Sequence, residues 1–130
     1  MILSAENPGL FRGLGNMAGV SDYEHFYRSG KYNQKLREAL GGGPDEVPEV
    51  YESLSVINYP EKFSSTPVFI LHGMADTVVS PEYSTRLAER LEQAGVRVVH
   101  HEVKDVAHEG KLIMGHEVEV LDFFDSIRLR

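Results

Sequence analysis

The chain predicts an α/β domain, a parallel sheet of about three strands with flanking helices. Three observations carry this. Val68, Phe69, Ile70 and Leu71 form a continuous apolar run bounded by Pro67 and by His72-Gly73. Too short for a helix and apolar on both faces, it reads as the central strand of a parallel sheet. Strand-like and helix-compatible stretches alternate along the chain, and helical spacers between short apolar strands imply parallel pairing with right-handed crossovers. After the apolar run comes a clean helix start, with Ser80 as candidate N-cap and Pro81 at the first helical position. Ligands of open α/β sheets bind beyond the carboxyl ends of the strands. Asp76, in the loop there, is therefore a site candidate.

From the N-terminus, residues 1–8 read as the tail of an interrupted element, without an N-cap or a full turn pattern before Asn7-Pro8-Gly9. Residues 11–20 form a weak strand candidate diluted by Gly13, Gly15 and Gly19, and Ser21-Asp22 can cap a helix from Tyr23. A polar, helix-compatible stretch runs to Leu40, where Gly41-Gly42-Gly43-Pro44 stops it. Residues 44–63 hold a short helix at about 49–54 and an irregular connection. The central strand follows, then a helix from Pro81 to about Ala94 with Leu87 and Leu91 at i, i+4 and Gly95 as its stop. Residues 96–103 are a strand with partial alternation, and residues 104–110 are a loop. The final helix carries an apolar face marked by Leu121, Phe124 and Ile127. Three strands make a very small parallel sheet, which points to a partial domain.

The 130 residues suffice for one small domain with a core. A formal charge of −7 argues against nucleic acid or an anionic membrane as the main partner. The absence of cysteine excludes disulfides, thiolate metal sites and cysteine nucleophiles. No apolar run approaches the ~20 residues that span a bilayer, and no signal pattern opens the chain; a cytoplasmic location is the expectation.

Chemistry concentrates at two strand ends. Asp76 follows one strand; Asp105, His108 and Glu109 follow the next. Right-handed crossovers put the carboxyl ends of neighbouring parallel strands on one side of the sheet, so Asp76 and His108 can come within hydrogen-bond reach. An Asp that orients a His is two-thirds of a serine-hydrolase triad; a helix-capping Asp with a surface His is the plainer alternative. Gly13-Leu14-Gly15-Asn16-Met17-Ala18 fits the dinucleotide G-x-G-x-x-A pattern, but the glycines lie within a strand rather than opening a helix. His100-His101-Glu102 and His116-Glu117 lack a metal-ligand spacing, since adjacent strand residues face opposite ways. No metal and no cofactor is expected. His72 is assigned a structural role at the rim of the site.

The segment PVFILHGMADTVVSPEYSTRLAERLEQAGVRVV followed by DVAHEG resembles the C-terminal part of the prolyl oligopeptidase family of serine peptidases, within the α/β-hydrolase superfamily. The residues from His72 to Val79 match its HGxxDxxV segment, upstream PEVYESLSVINYPEKFSSTP is similar too, and Pro8, Phe11, Arg12 and Gly13 resemble the family's earlier connection. Leu54 and Glu109 depart from the residues usual there. The resemblance implies a partial α/β-hydrolase fold in which residues 1–130 form the C-terminal portion of a catalytic domain. It gives Asp76 the acid role and His108 the base role, with a peptide, or a small ester or amide, as substrate. The family's nucleophile sits on a G-x-S-x-G elbow, and this chain has none. The implied serine lies outside the chain, which alone would be inactive and would need the missing N-terminal half or self-associate. A carboxylesterase or dienelactone-hydrolase relative, or a non-catalytic remnant or binding module, are the alternatives.

Overall fold

A computed structural model describes residues 1–112 and 114–128. Its sheet has three parallel strands, β1 (Leu14–Met17), β2 (Val68–Gly73) and β3 (Val98–Val103), in the order β1-β2-β3. Val68 lies opposite Leu14 on one side and Val98 on the other. The apolar run is thus the central strand, and all six β2 residues are buried. Alternation along β2 divides the core. With α1 at Ile2–Glu6, α2 at Glu82–Gln93 and α3 at Glu117–Arg128, Val68 and Ile70 pack with Leu87, Ala88 and Leu91 of α2 to one side, while Phe69 and Leu71 pack with Phe123 of α3 to the other. A strand covered by helices on both faces has no polar face to show, and this is why the run does not alternate.

The connection between β1 and β2 carries three short helices, Tyr23–Arg28, Asn33–Leu40 and Pro48–Leu54. Asp22 caps the first, its carboxylate accepting from the His25 N–H. The stretch expected as one helix to Leu40 breaks between Arg28 and Asn33, where Gly30 takes φ +81°, a conformation that favours glycine. Its side chains nonetheless reach the site: Phe26, Tyr32 and Leu36 pack with Val78, Val79 and Tyr83.

Four other expectations change. The strand expected over residues 11–20 is ordered only at Leu14–Met17. The interrupted N-terminal element is a five-residue helix, Ile2–Glu6, whose Ala5 joins the core; tertiary burial supplies what its missing cap does not. α2 begins at Glu82 rather than Pro81, although the Ser80 hydroxyl does accept from the Glu82 N–H. On α3 the face turned inward is centred on Phe123, with Val120, Phe124 and Ile127 beside it, and Leu121 is exposed. Of the expected stripe, Phe124 and Ile127 thus face the core and Leu121 does not. Among the described residues no helix is long and apolar enough to cross a membrane.

Candidate active site

Both candidate residues lie just past the carboxyl ends of adjacent strands, Asp76 three residues beyond β2 and His108 five beyond β3. Parallel pairing brings the two loops together, and backbone hydrogen bonds lock them. The N–H of Met74 donates to the Val103 carbonyl, and that of Ala75 to the Val106 carbonyl. Gly73 permits this contact, since a Cβ there would overlap the Val106 carbonyl oxygen. Because the clash is with backbone, Gly73→Ala is expected to push the His108 loop away from Asp76. Loss of the His108–Asp76 contact in spectra of a still-folded variant would show it; an undisturbed contact would contradict the expectation.

Across the closed loops the His108 Nδ1 and the Asp76 Oδ2 are 2.7 Å apart. The Asp76 side chain is fully buried, while the His108 side chain remains 39% exposed. Asp76 is held on every side. Its Oδ1 accepts from the N–H groups of Val78 (2.8 Å) and Val79 (2.9 Å), and its Oδ2 also faces the Nε2 of His72 at 3.1 Å. Burial pushes the Asp76 carboxyl upward. The Val79 N–H, the His108 ring and the Val78 N–H outweigh it, so the pKa stays below the ordinary carboxylate value.

That depression links protonation to folding. A carboxylate whose folded pKa lies below its unfolded one stabilises the fold above the unfolded value and loses the contribution as pH falls through the folded one. Denaturant unfolding of wild type and Asp76→Asn at stepped pH should show a stability gap at neutral pH that narrows below about 4. A gap independent of pH would contradict the arrangement.

The Asp76–His108 pair anticipated from loop topology is thus assembled. His72 is placed differently: it is fully buried beneath the site, with Nδ1 at 2.6 Å from the Ser84 hydroxyl and Nε2 at 3.0 Å from the Val79 carbonyl. Sequence reasoning missed Ser84, although its position two residues into α2 on the face of Leu87 and Leu91 was a signal. Asp105, with φ +59°, turns the loop before His108. Among the described residues no group of histidines and carboxylates could hold a metal ion. The G-x-G-x-x-A glycines fall at β1, and Gly13 leaves room for Ile127 of α3.

A parallel sheet whose last two strands end in an Asp loop and a His loop, braced by helices on both faces, defines a domain of the α/β-hydrolase type. The chain belongs to the prolyl oligopeptidase family, whose sequence profile matches residues 1–127. It is 30% identical over 94 residues to the uncharacterized peptidase YtmA of Bacillus subtilis (strain 168), covering 72% of this chain and 36% of that protein. Its fold is similar to the Pyrococcus horikoshii acylaminoacyl peptidase (TM-score 0.83, 20% identity, 97% of this chain and 21% of that one). A Mycobacterium tuberculosis puromycin-hydrolyzing peptidase is similar too (TM-score 0.80, 21% identity, 97% and 20%). The chain therefore spans about a third of the curated relative's length and about a fifth of these structures.

Proposed function

We propose that this chain supplies the acid and base of a serine peptidase, with Asp76 orienting His108 and the serine carried by a separate segment. The single observation behind this is the 2.7 Å contact between the His108 Nδ1 and the buried Asp76 Oδ2, made in a half-exposed histidine. With Nδ1 engaged, Nε2 is the nitrogen left to take a proton from a serine hydroxyl as it attacks a peptide carbonyl. The same nitrogen then returns the proton to the leaving amine, while Asp76 stabilises the imidazolium in between. Among the described residues no serine hydroxyl bonds to His108. Ser21, Ser55 and Ser84 spend theirs on the Tyr83 carbonyl, the Tyr51 carbonyl and His72.

Membership of a peptidase family supports the reaction class. The open edge of β1 is where we place the nucleophile-bearing half of the domain. The N–H groups of Leu14 and Ala18 are used by β2, so those of the intervening Gly15 and Met17 face away from it. An activated peptide substrate should not be turned over by the isolated chain, because an Asp-His pair without a nucleophile has nothing to activate. Mixing in the nucleophile half of a related peptidase should restore saturable turnover. Turnover by the chain alone, abolished by His108→Ala, would replace this reading with one that uses a local serine.

A further inference from the structure

Below Asp76 lies a second polar layer that proton transfer does not use. His72, on the α2 side of β2, and Ser84, on α2, are both completely buried. The His72 Nε2 lies 3.1 Å from the Asp76 Oδ2 and 3.0 Å from the Val79 carbonyl oxygen. A carbonyl can only accept, and so can an ionised carboxylate, so Nε2 carries a hydrogen shared between them. The Ser84 hydroxyl is 2.6 Å from Nδ1 and has no other acceptor among the described residues. It therefore donates to Nδ1, which must hold a lone pair. Donor and acceptor accounting leaves one state, a neutral His72 protonated on Nε2.

We propose that Ser84 and His72 are positioning residues for the acid. Ser84 donates to the Nδ1 lone pair and anchors the ring to α2, and His72 holds the Asp76 Oδ2 so that this oxygen faces the His108 Nδ1. The inference rests on the reading of Asp76 and His108 as acid and base. His72 also shares a carbonyl with the loop, because its Nε2–H reaches Val79, whose own N–H holds the other carboxylate oxygen. One buried ring thus ties both the carboxylate and the loop that carries it to α2. An orphaned partner in such a buried network is costly enough to reorient a carboxylate. The charged and titratable groups facing His72 are Asp76 on its own loop, and His100 and Glu102 from β3, where Glu102 is its register partner. From α2 only the neutral Ser84 bonds to it. Glu102 is engaged by the Thr85 hydroxyl at 3.3 Å.

Two-bond proton–nitrogen correlation spectra of the whole nitrogen-15-labelled chain at neutral pH test this directly. The expected pattern for His72 is a protonated Nε2 and a lone pair on Nδ1. An imidazolium, or a hydrogen on Nδ1 in the wild type, overturns the proposal without any variant being made. In Ser84→Ala the Nδ1 signal should remain that of a lone pair but shift further downfield, as loss of its hydrogen-bond donor requires. In His72→Leu the carboxylate loses the donor that holds Oδ2 toward His108, so the hydrogen-bonded Nδ1 proton of His108 should move upfield or be lost to exchange with water, and His72→Gln, which keeps an N–H donor, should largely restore it. A folded His72→Leu with that proton unmoved or moved downfield would overturn the positioning role. Failure of the acid–base reading shows separately, as a His108 signal indifferent to Asp76→Asn while the His72 tautomer stands as expected.

Discussion

In a catalytic domain completed with a nucleophile half, His108→Ala is expected to lower kcat by roughly 10⁴–10⁶-fold, with KM changed far less. The size follows from the role. Without the imidazole nothing accepts the serine proton in the transition state, and what persists is binding and whatever oxyanion stabilisation the other half provides. Asp76→Asn should cost roughly 10⁴-fold for a different reason. An amide nitrogen turned toward His108 would donate where the carboxylate accepts. Nδ1 would then need its lone pair, the ring hydrogen would move to Nε2, and Nε2 could no longer take a proton. The two variants act on one unit, so the double variant should be little worse than His108→Ala alone. Steady-state kinetics on the four proteins check this; losses that simply multiply would show that Asp76 and His108 act independently.

The isolated chain is expected to self-associate through β1, and Gly15→Pro is expected to suppress it. β1 lies at one edge of the sheet, with the N–H groups of Gly15 and Met17 turned away from β2. An exposed strand edge is a template for another strand. Exposed Leu3, Leu10 and Phe11 lie near it in sequence and add apolar surface. Proline at position 15 removes a donor from the outer side only, leaving the β2 pairing through Leu14 and Ala18 in place, as proline is tolerated in edge strands. A Cβ at Gly15 meets no close neighbour, the nearest atoms being 3.9 Å away on Met17 and Phe124. Sedimentation across a concentration series should show wild type shifting to larger species and Gly15→Pro staying monomeric. The same variant should lose the ability to be complemented, because the nucleophile half is assigned to that edge. A wild type that stays monomeric at high concentration would remove the edge from both arguments.

Much of the site was legible before the structure, for a topological reason. Two strands joined by one helix favour parallel pairing with a right-handed crossover, and such pairing places Asp76 and His108 at the same end of the sheet. Charge, the missing cysteines and the missing G-x-S-x-G elbow are equally properties of the sequence itself. Other features depended on packing between segments far apart in the chain. His72 looks like a rim residue in sequence because it precedes Gly73. Only the alternation of β2 against α2 shows it to be buried on Ser84, 12 positions away. The helix Ile2–Glu6 exists because Ala5 has a core to enter, not because its residues cap or repeat. On α3 the sequence places Phe124 and Ile127 inward but cannot tell that Leu121 faces out, since the outer Val118 and Leu121 are as hydrophobic as the inner residues. Periodicity reports how apolar residues are spaced along a helix; which of them meet the sheet is decided by the surface they pack against.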